Sequence, residues 1–151
     1  MTPEDIKKMY PPFISKKILE EGEDEKHEKI TDFLQLIRTT WVISNEDYQE
    51  RFWVRRELPM RGDNFMETTM TFNQDLEGVL EAVEAGHVKI AKKQYEMLIK
   101  LYNLIDKFDG DPDTPPDPGY GENDKEIVAD PRWDKIRNFA KEVYEELTIE
   151  A

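Results

Sequence analysis

The chain contains no cysteine among its 151 residues. This absence excludes disulfide bonds, a thiolate nucleophile and any zinc site built from thiolates. It is also typical of proteins that fold in a reducing compartment, and we therefore expect a cytoplasmic protein. A chain of this length buries about 70% of its unfolded surface, so a single domain spanning residues 1–151 needs no cross-links.

Long apolar runs are also absent. No segment approaches the ~18 consecutive apolar residues of a membrane-spanning helix. The first residues, MTPEDIKKMYPPF, lack the hydrophobic region of a signal peptide. We therefore expect a protein with no membrane partner.

Positive charge is scarce. The chain has 21 lysines and arginines against 34 aspartates and glutamates, which gives a formal net charge of −13. A surface of this sign repels nucleic-acid phosphates and anionic lipids and attracts basic proteins over a distance. The composition thus predicts a basic protein partner and no direct binding of nucleic acid.

The acidic residues are densest in two segments that we predict to be non-helical, Glu20–Glu28 and Asp109–Asp124. The second contains six carboxylates and no lysine or arginine. If the two segments form a binding surface, Tyr120 is an aromatic anchor within it. The predicted partner-contacting residues are Glu21, Glu23, Asp24, Glu25, Asp109, Asp111, Asp113, Asp117 and Tyr120.

Apolar residues recur with the three- and four-residue steps of amphipathic helices over most of the chain. The pattern predicts an all-α bundle of five or six helices. Asp130 is the expected N-cap of the last helix, with Pro131 in its first turn, and Gly86 is the expected left-handed end of another. The broadest apolar stripe follows His87, which predicts a central helix paired with the one before it. The predicted helices include 25–40, 73–85, 87–108 and 130–148.

Two stretches leave the type of element open. Residues 65–72 alternate as a strand does, but they also continue the helical spacing of the segment that follows, and we favour the helix. Residues 45–57 have the spacing of a short helix that ends before Pro59. A small β element within 51–72 remains the alternative.

The segment 109–128 is a proline-, aspartate- and glycine-rich loop, longer than most loops between bundle helices. Asp109, Asp111 and Asp113 have the one-three-five spacing of a calcium-binding loop. However, Thr114 and Tyr120 occupy the positions where an EF-hand needs glycine and a bidentate glutamate. We interpret the segment as a solvated linker, with no metal.

A di-metal carboxylate enzyme on a helical bundle needs two Glu-x-x-His pairs that face inward. The chain offers Glu84 with His87, and Asp24 with His27 as a variant. Gly86 is expected to end the helix between Glu84 and His87, so the two side chains do not share a face. We therefore predict no cofactor and no catalytic residue.

Arginines alternate with aromatic residues between Tyr48 and Arg61. Such a pattern can stack on bases or bind phosphates. Given the net charge, we favour the other interpretation, in which the arginines pair with surplus carboxylates while Phe52 and Trp53 enter the core.

The function that these observations favour is a non-enzymatic inhibitor of a basic protein, as an immunity protein or antitoxin is to a nuclease toxin. Complementary charge accelerates association, which such an inhibitor needs. Three alternatives stay open: a phage-type nucleic-acid mimic that inhibits a defence enzyme, a carboxylate-based metalloenzyme with Glu84 and His87, and a structural subunit of an assembly.

Overall fold

The computed structural model describes residues 27–57, 64–86, 89–115 and 123–148. This part of the chain is helical and contains no strand, so the predicted helical bundle is confirmed for it. The helices in chain order are α1 (His27–Ser44), α2 (Glu46–Tyr48), a π-helical segment (Gln49–Val54), α3 (Phe65–Glu84), α4 (Lys92–Asp109), α5 (Asp124–Ala129) and α6 (Pro131–Leu147).

Two helix ends lie at residue types that favour a helix end. Asp130 caps α6, because its Oδ1 accepts a hydrogen bond from the backbone N–H of Arg132 at 2.8 Å, and Pro131 follows in the first turn. Gly86, just after α3, has a φ of +79°, a conformation that glycine adopts at little cost. Both predictions are confirmed.

The stretch from Phe65 is one continuous helix rather than a strand followed by a helix. Asn64 caps it, since its Oδ1 accepts a hydrogen bond from the N–H of Glu67 at 2.8 Å. Phe65, Phe72 and Val79 lie on the buried face. Burial of this face outweighs the local β preference of the threonines.

Helix α2 continues directly into the π-helical segment Gln49–Val54, whose turns are wider than those of an α-helix. The N–H of Arg55 donates to the carbonyl of Glu50 at 3.0 Å, the five-residue step of a π-helix. Gln49, Phe52 and Trp53 are all buried as a result. Sequence spacing predicts a helix here but not its π geometry, and no strand is observed in the described residues of 51–72.

Helix α1, not α4, is central among the described helices. It packs against both α3 and α6, whereas α4 packs mainly on α6 and contacts α3 only sparsely. The predicted central position of 87–108 is therefore wrong, whereas the predicted contact with the preceding helix is present, although it is limited. The reason is that part of the α4 stripe remains exposed, with Tyr95 at 39%, while Leu36, Ile37 and Ile43 of α1 are fully buried.

An aromatic cluster joins the helices at the centre of the core. Trp133 of α6 has ring centroids 5.1 Å from Phe65, 5.5 Å from Phe108 and 6.1 Å from Trp53. Each pair lies within the favourable distance for aromatic contacts. This cluster fixes the N-terminus of α3 beside the C-terminus of α4.

The described ends of the predicted loop 109–128 contain helical residues. Asp109 is the last residue of α4, and Asp124–Ala129 form the short helix α5. Asp124 is 1% exposed, and its Oδ2 accepts a hydrogen bond from the N–H of Phe65 at 3.1 Å. The interpretation as a solvated linker is therefore wrong for these residues, and Asp124 is not part of an acidic surface.

Candidate partner-binding surface

Helix α3 carries an acidic stripe on its outer face. The stripe consists of Glu67, Met70, Gln74, Glu77, Glu81 and Glu84, which follow one another in steps of three and four residues and are all exposed. Residues at this spacing lie on one side of a helix. The opposite side packs on α1, so the stripe faces away from the core.

The glutamates of the acidic stripe have no cation beside them in the part of the chain that the structure describes. Helix α3 contains no lysine, arginine or histidine, and no ion pair within the described residues involves Glu67, Glu77, Glu81 or Glu84. No described residue therefore neutralises their charges.

This arrangement is unfavourable for the isolated helix. Glu77 and Glu81 are four residues apart, and Glu81 and Glu84 are three apart, so like charges are neighbours. The last turn of α3 has no basic residue and ends in Glu84, although the carbonyl end of a helix favours positive charge. The helix thus keeps carboxylates where they reduce its own stability, as functional surfaces often do.

One large apolar side chain lies within the acidic stripe. Met70 is 46% exposed, and it and Tyr95 are the exposed large hydrophobic residues in the described ranges. Methionine is flexible and polarisable and adapts to irregular partner surfaces. The stripe therefore combines charge with an apolar contact point.

The predicted acidic loop is arranged differently, because an arginine binds its carboxylates. Arg132 Nη1 lies 3.1 Å from Asp111 Oδ2, and its Nη2 lies 2.7 Å from Asp130 Oδ2. Arg132 Nη2 also donates to the backbone carbonyl of Asp113 at 3.2 Å. Its guanidinium lies 5.1 Å from the ring centre of Phe108. Arg132 therefore ties the start of the loop to α6.

The loop is also folded back on α4. Thr114 Oγ1 donates to the carbonyl of Phe108 at 2.6 Å, and the N–H of Asp113 donates to Asp111 Oδ1 at 2.8 Å. Of the predicted contact residues, Asp109, Asp111 and Asp113 lie together here. Asp111 is partly neutralised, so this segment presents less free charge than its sequence indicates.

The ion pair with Arg132 affects the acidity of Asp130. The side-chain hydrogen bonds from Arg132 hold the pKa of the Asp130 carboxyl below its usual range, and the N–H of Arg132 adds to the effect, against a smaller opposing effect of burial. The same contact raises the pKa of Arg132. Both groups are therefore charged across the physiological range.

The remaining predicted contacts, Glu21, Glu23, Asp24, Glu25, Asp117 and Tyr120, lie outside the described residues. The same holds for His87, the predicted partner of Glu84 in a metalloenzyme. Glu84 itself is exposed at the end of α3. In the described ranges no group of three or more histidines, aspartates and glutamates is arranged to hold a metal ion.

The arginine-aromatic stretch is largely structural. Arg51 Nε lies 2.8 Å from Glu57 Oε2, while Phe52 and Trp53 are buried. The hydrogen bond from Arg51 holds the pKa of Glu57 below its usual range, helped by the charges of Arg51 and Arg55. The interpretation that these arginines pair internally is confirmed for Arg51.

A polar groove lies on another side of the molecule, between the end of α1 and α6. It has a volume of about 530 Å³, and no residue of α3 lines it. At its floor lies Arg137, which is only 5% exposed. Sequence inspection missed this groove, because its residues come from segments about 90 positions apart.

A buried network holds Arg137 in place. Arg137 Nη1 donates to Gln49 Oε1 at 3.1 Å and to the carbonyl of Val128 at 3.3 Å. Gln49 Oε1 also accepts from Trp133 Nε1 at 3.0 Å, and Gln49 Nε2 donates to the carbonyls of Val42 and Ile43. Buried polar groups need such partners. Arg137 Nη2 faces outward, 2.7 Å from Asp134 and 3.6 Å from Glu46.

Comparisons with protein families, with curated proteins and with solved structures find no significant match to this chain. None of the described helices is both long enough and apolar enough to cross a membrane.

Proposed function

We propose that this protein is a non-enzymatic binding protein that recognises and neutralises a basic protein in the cytoplasm, in the manner of an immunity protein or antitoxin. The observation that carries the proposal is the acidic stripe of α3, whose four glutamates have no counter-ion in the described part of the chain.

The spacing of the stripe suits recognition of a basic surface. Glu67 and Glu84 are 17 positions apart, which corresponds to about 25 Å along a helix. Such a length matches one side of a typical protein–protein interface. Glu77, Glu81 and Glu84 are each within about 6 Å of the next, less than the ~8 Å Debye length at physiological salt, so their fields add.

An enzymatic role has less support. The groove is lined by Arg137 and several carboxylates, but it includes no histidine, and its arginine is already bonded to Gln49, Val128 and Asp134. Buried arginines with these bonds mostly stabilise structure. The acidic stripe, in contrast, has no contact within the described ranges that explains its charges.

The test is capture of the partner from the organism that encodes the chain, with three forms of the protein as bait. The first is the wild type. The second, the stripe variant, carries Glu77→Gln, Glu81→Gln and Glu84→Gln. The third, the matched control, carries Glu50→Gln, Glu126→Gln and Glu142→Gln, which are exposed and lie on other helices. Both variants lose three negative charges.

We expect the wild type and the matched control to retain one basic protein at near-equal stoichiometry in low salt, and the stripe variant to lose it. The purified wild type should then inhibit the activity of the captured protein. A nuclease or toxin fragment supports the immunity form of the proposal, whereas a restriction or defence enzyme supports a nucleic-acid mimic. Equal retention by all three forms, or no inhibition, refutes the proposal.

A further inference from the structure

The groove between α1 and α6 has the composition of a receptor for a cationic side chain. We propose that it binds one arginine side chain of the basic partner protein, as a second contact separate from the acidic stripe. This inference rests on the proposed function for the identity of the partner. Binding of an arginine side chain by the groove is tested separately, with a peptide.

The first argument is charge at the floor of the groove. Arg137 Nη2 contacts two carboxylates, Asp134 at 2.7 Å and Glu46 at 3.6 Å. One guanidinium therefore faces two negative charges, which leaves one uncompensated. Asp47 and Glu145 add two more carboxylates to the lining and Lys141 one ammonium, so the lining residues have a formal net charge of −2, with Arg51 lying 3.9 Å from Asp47 outside the lining. A cation is attracted to such a lining, and an anion is repelled.

The second argument is that the acceptors are already positioned. Arg137 donates a hydrogen bond to Asp134 Oδ1 and forms a longer ion pair with Glu46 Oε2, and neither Asp134 Oδ2 nor Glu46 Oε1 has a partner among the described residues. The two side chains are 53% and 62% exposed, so these oxygens are accessible. Because Arg137 is buried and itself bonded to Gln49, both carboxylates lie beside one fixed guanidinium before any ligand arrives.

The third argument concerns the aromatic side chains that line the groove. Trp41 of α1 and Tyr144 of α6 line the groove, and both side chains are half-buried. The ring of Tyr144 is neutral at physiological pH, and burial raises the pKa of its hydroxyl further above that range. Planar guanidinium groups stack on such rings and donate paired hydrogen bonds to carboxylates, which a lysine ammonium does less well. The combination therefore favours arginine over lysine.

The probe for the test is a blocked tripeptide, acetyl-Gly-Arg-Gly-amide. Its controls have citrulline, which is neutral but similar in shape, or lysine in place of arginine. Binding is followed by tryptophan fluorescence, since Trp53 and Trp133 are fully buried and Trp41 alone of the three lines the groove. Trp41→Phe identifies the reporting residue.

We expect a saturable change with the arginine peptide that is absent in the Trp41→Phe variant, weaker binding of the lysine peptide and no binding of the citrulline peptide. The double variant Glu46→Gln, Asp134→Asn should bind the arginine peptide about tenfold more weakly, as for the loss of a charge-assisted hydrogen bond. Glu145→Gln, which leaves the contacts of Arg137 intact, should weaken binding about threefold.

The stripe variant separates this inference from the proposed function. It should bind the arginine peptide as the wild type does, even though it fails to retain the partner. If the citrulline or lysine peptide binds as well as the arginine peptide, or if the groove variants bind unchanged, the inference is wrong, and the proposed function stands on its own test.

Discussion

At the start of α6, the carboxylates of Asp111 and Asp130 both bind Arg132, whereas the four glutamates along the outer face of α3 have no cation in the described part of the chain. The first region is the denser in acidic residues along the sequence, yet Arg132 neutralises part of its charge. The second is sparser but unneutralised. Among the described residues, the acidic residues that are crowded in sequence are therefore not the ones most available to a partner.

The two regions also differ in whether the interactions of their carboxylates stabilise the fold. Arg132 and Arg137 bring carboxylates from different segments together, and each contact adds to the packing of α6. On α3, neighbouring glutamates repel one another and the nearest helix end disfavours them. Removal of a carboxylate charge should therefore lower the free energy of unfolding at the start of α6 and raise it on α3.

The largest effect is expected in the buried network behind Arg137. Gln49→Leu removes the acceptor for Trp133 Nε1 and one acceptor of Arg137, and it leaves the carbonyls of Val42 and Ile43 without their side-chain donor. Unpaired buried polar groups cost about 1–3 kcal/mol each, so the free energy of unfolding should fall by about 3 kcal/mol. Urea denaturation measures this change.

The matched control is Gln74→Leu, the same substitution at an exposed position of α3. It should change the free energy of unfolding by less than about 0.5 kcal/mol. Similar values for the two variants would show that the Gln49 network contributes little to stability.

An intermediate effect is expected at Asp130. Asp130→Ala removes the N-cap of α6 and should lower the free energy of unfolding by about 1 kcal/mol. Asp130→Asn keeps a capping oxygen but removes the charge that Arg132 binds, so it should cost less. Urea denaturation at neutral pH compares the three proteins.

The contribution of this charge depends on pH with a definite sign. The pKa of Asp130 is lowered in the folded state, so its stabilisation is fully present above the ordinary value of 3.8 and is lost as the pH falls through the lower folded-state value. The difference in stability between the wild type and Asp130→Asn should therefore shrink in acid. A difference that stays constant down to pH values well below 3.8 would mean that the charge is not its source.

The smallest effect, opposite in sign, is expected on α3. The stripe variant removes like-charge neighbours and two carboxylates from the last turn. Its free energy of unfolding should therefore rise by a few tenths of a kcal/mol, which raises the melting temperature slightly. Differential scanning calorimetry against the matched control measures it. A clear loss of stability would show that these glutamates have favourable contacts, which would remove the contrast between the two regions.

Much of the fold is predictable from the sequence because local chemistry decides it. The Asp130-Pro131 pair and Gly86 mark helix ends by residue type alone, and the apolar spacing of α1, α3 and α6 indicates their buried faces. Helix α5 was not predicted. Its six residues are too few for a periodic pattern, and it depends on tertiary contacts, including that of Asp124 with the N-terminus of α3.

The binding surface is less predictable because charge availability depends on contacts distant in sequence. Asp111 and Arg132 are 21 positions apart, and nothing in the spacing reveals their pairing. The acidic stripe was missed, although a sequence signal exists: the segment from Phe65 to Glu84 has no basic residue, and its glutamates fall on one helical face. The groove has no such signal, since Gln49 and Arg137 meet only through the fold.

The central claim is that the acidic stripe of α3 attracts the basic partner. The most direct measurement is the association rate constant of the captured partner with the wild type, the stripe variant and the matched control, at low and at physiological salt. The stripe variant should associate about tenfold more slowly than the matched control at low salt, with the difference shrinking as salt screens the charges. Equal rates for the two variants at low salt would contradict the claim.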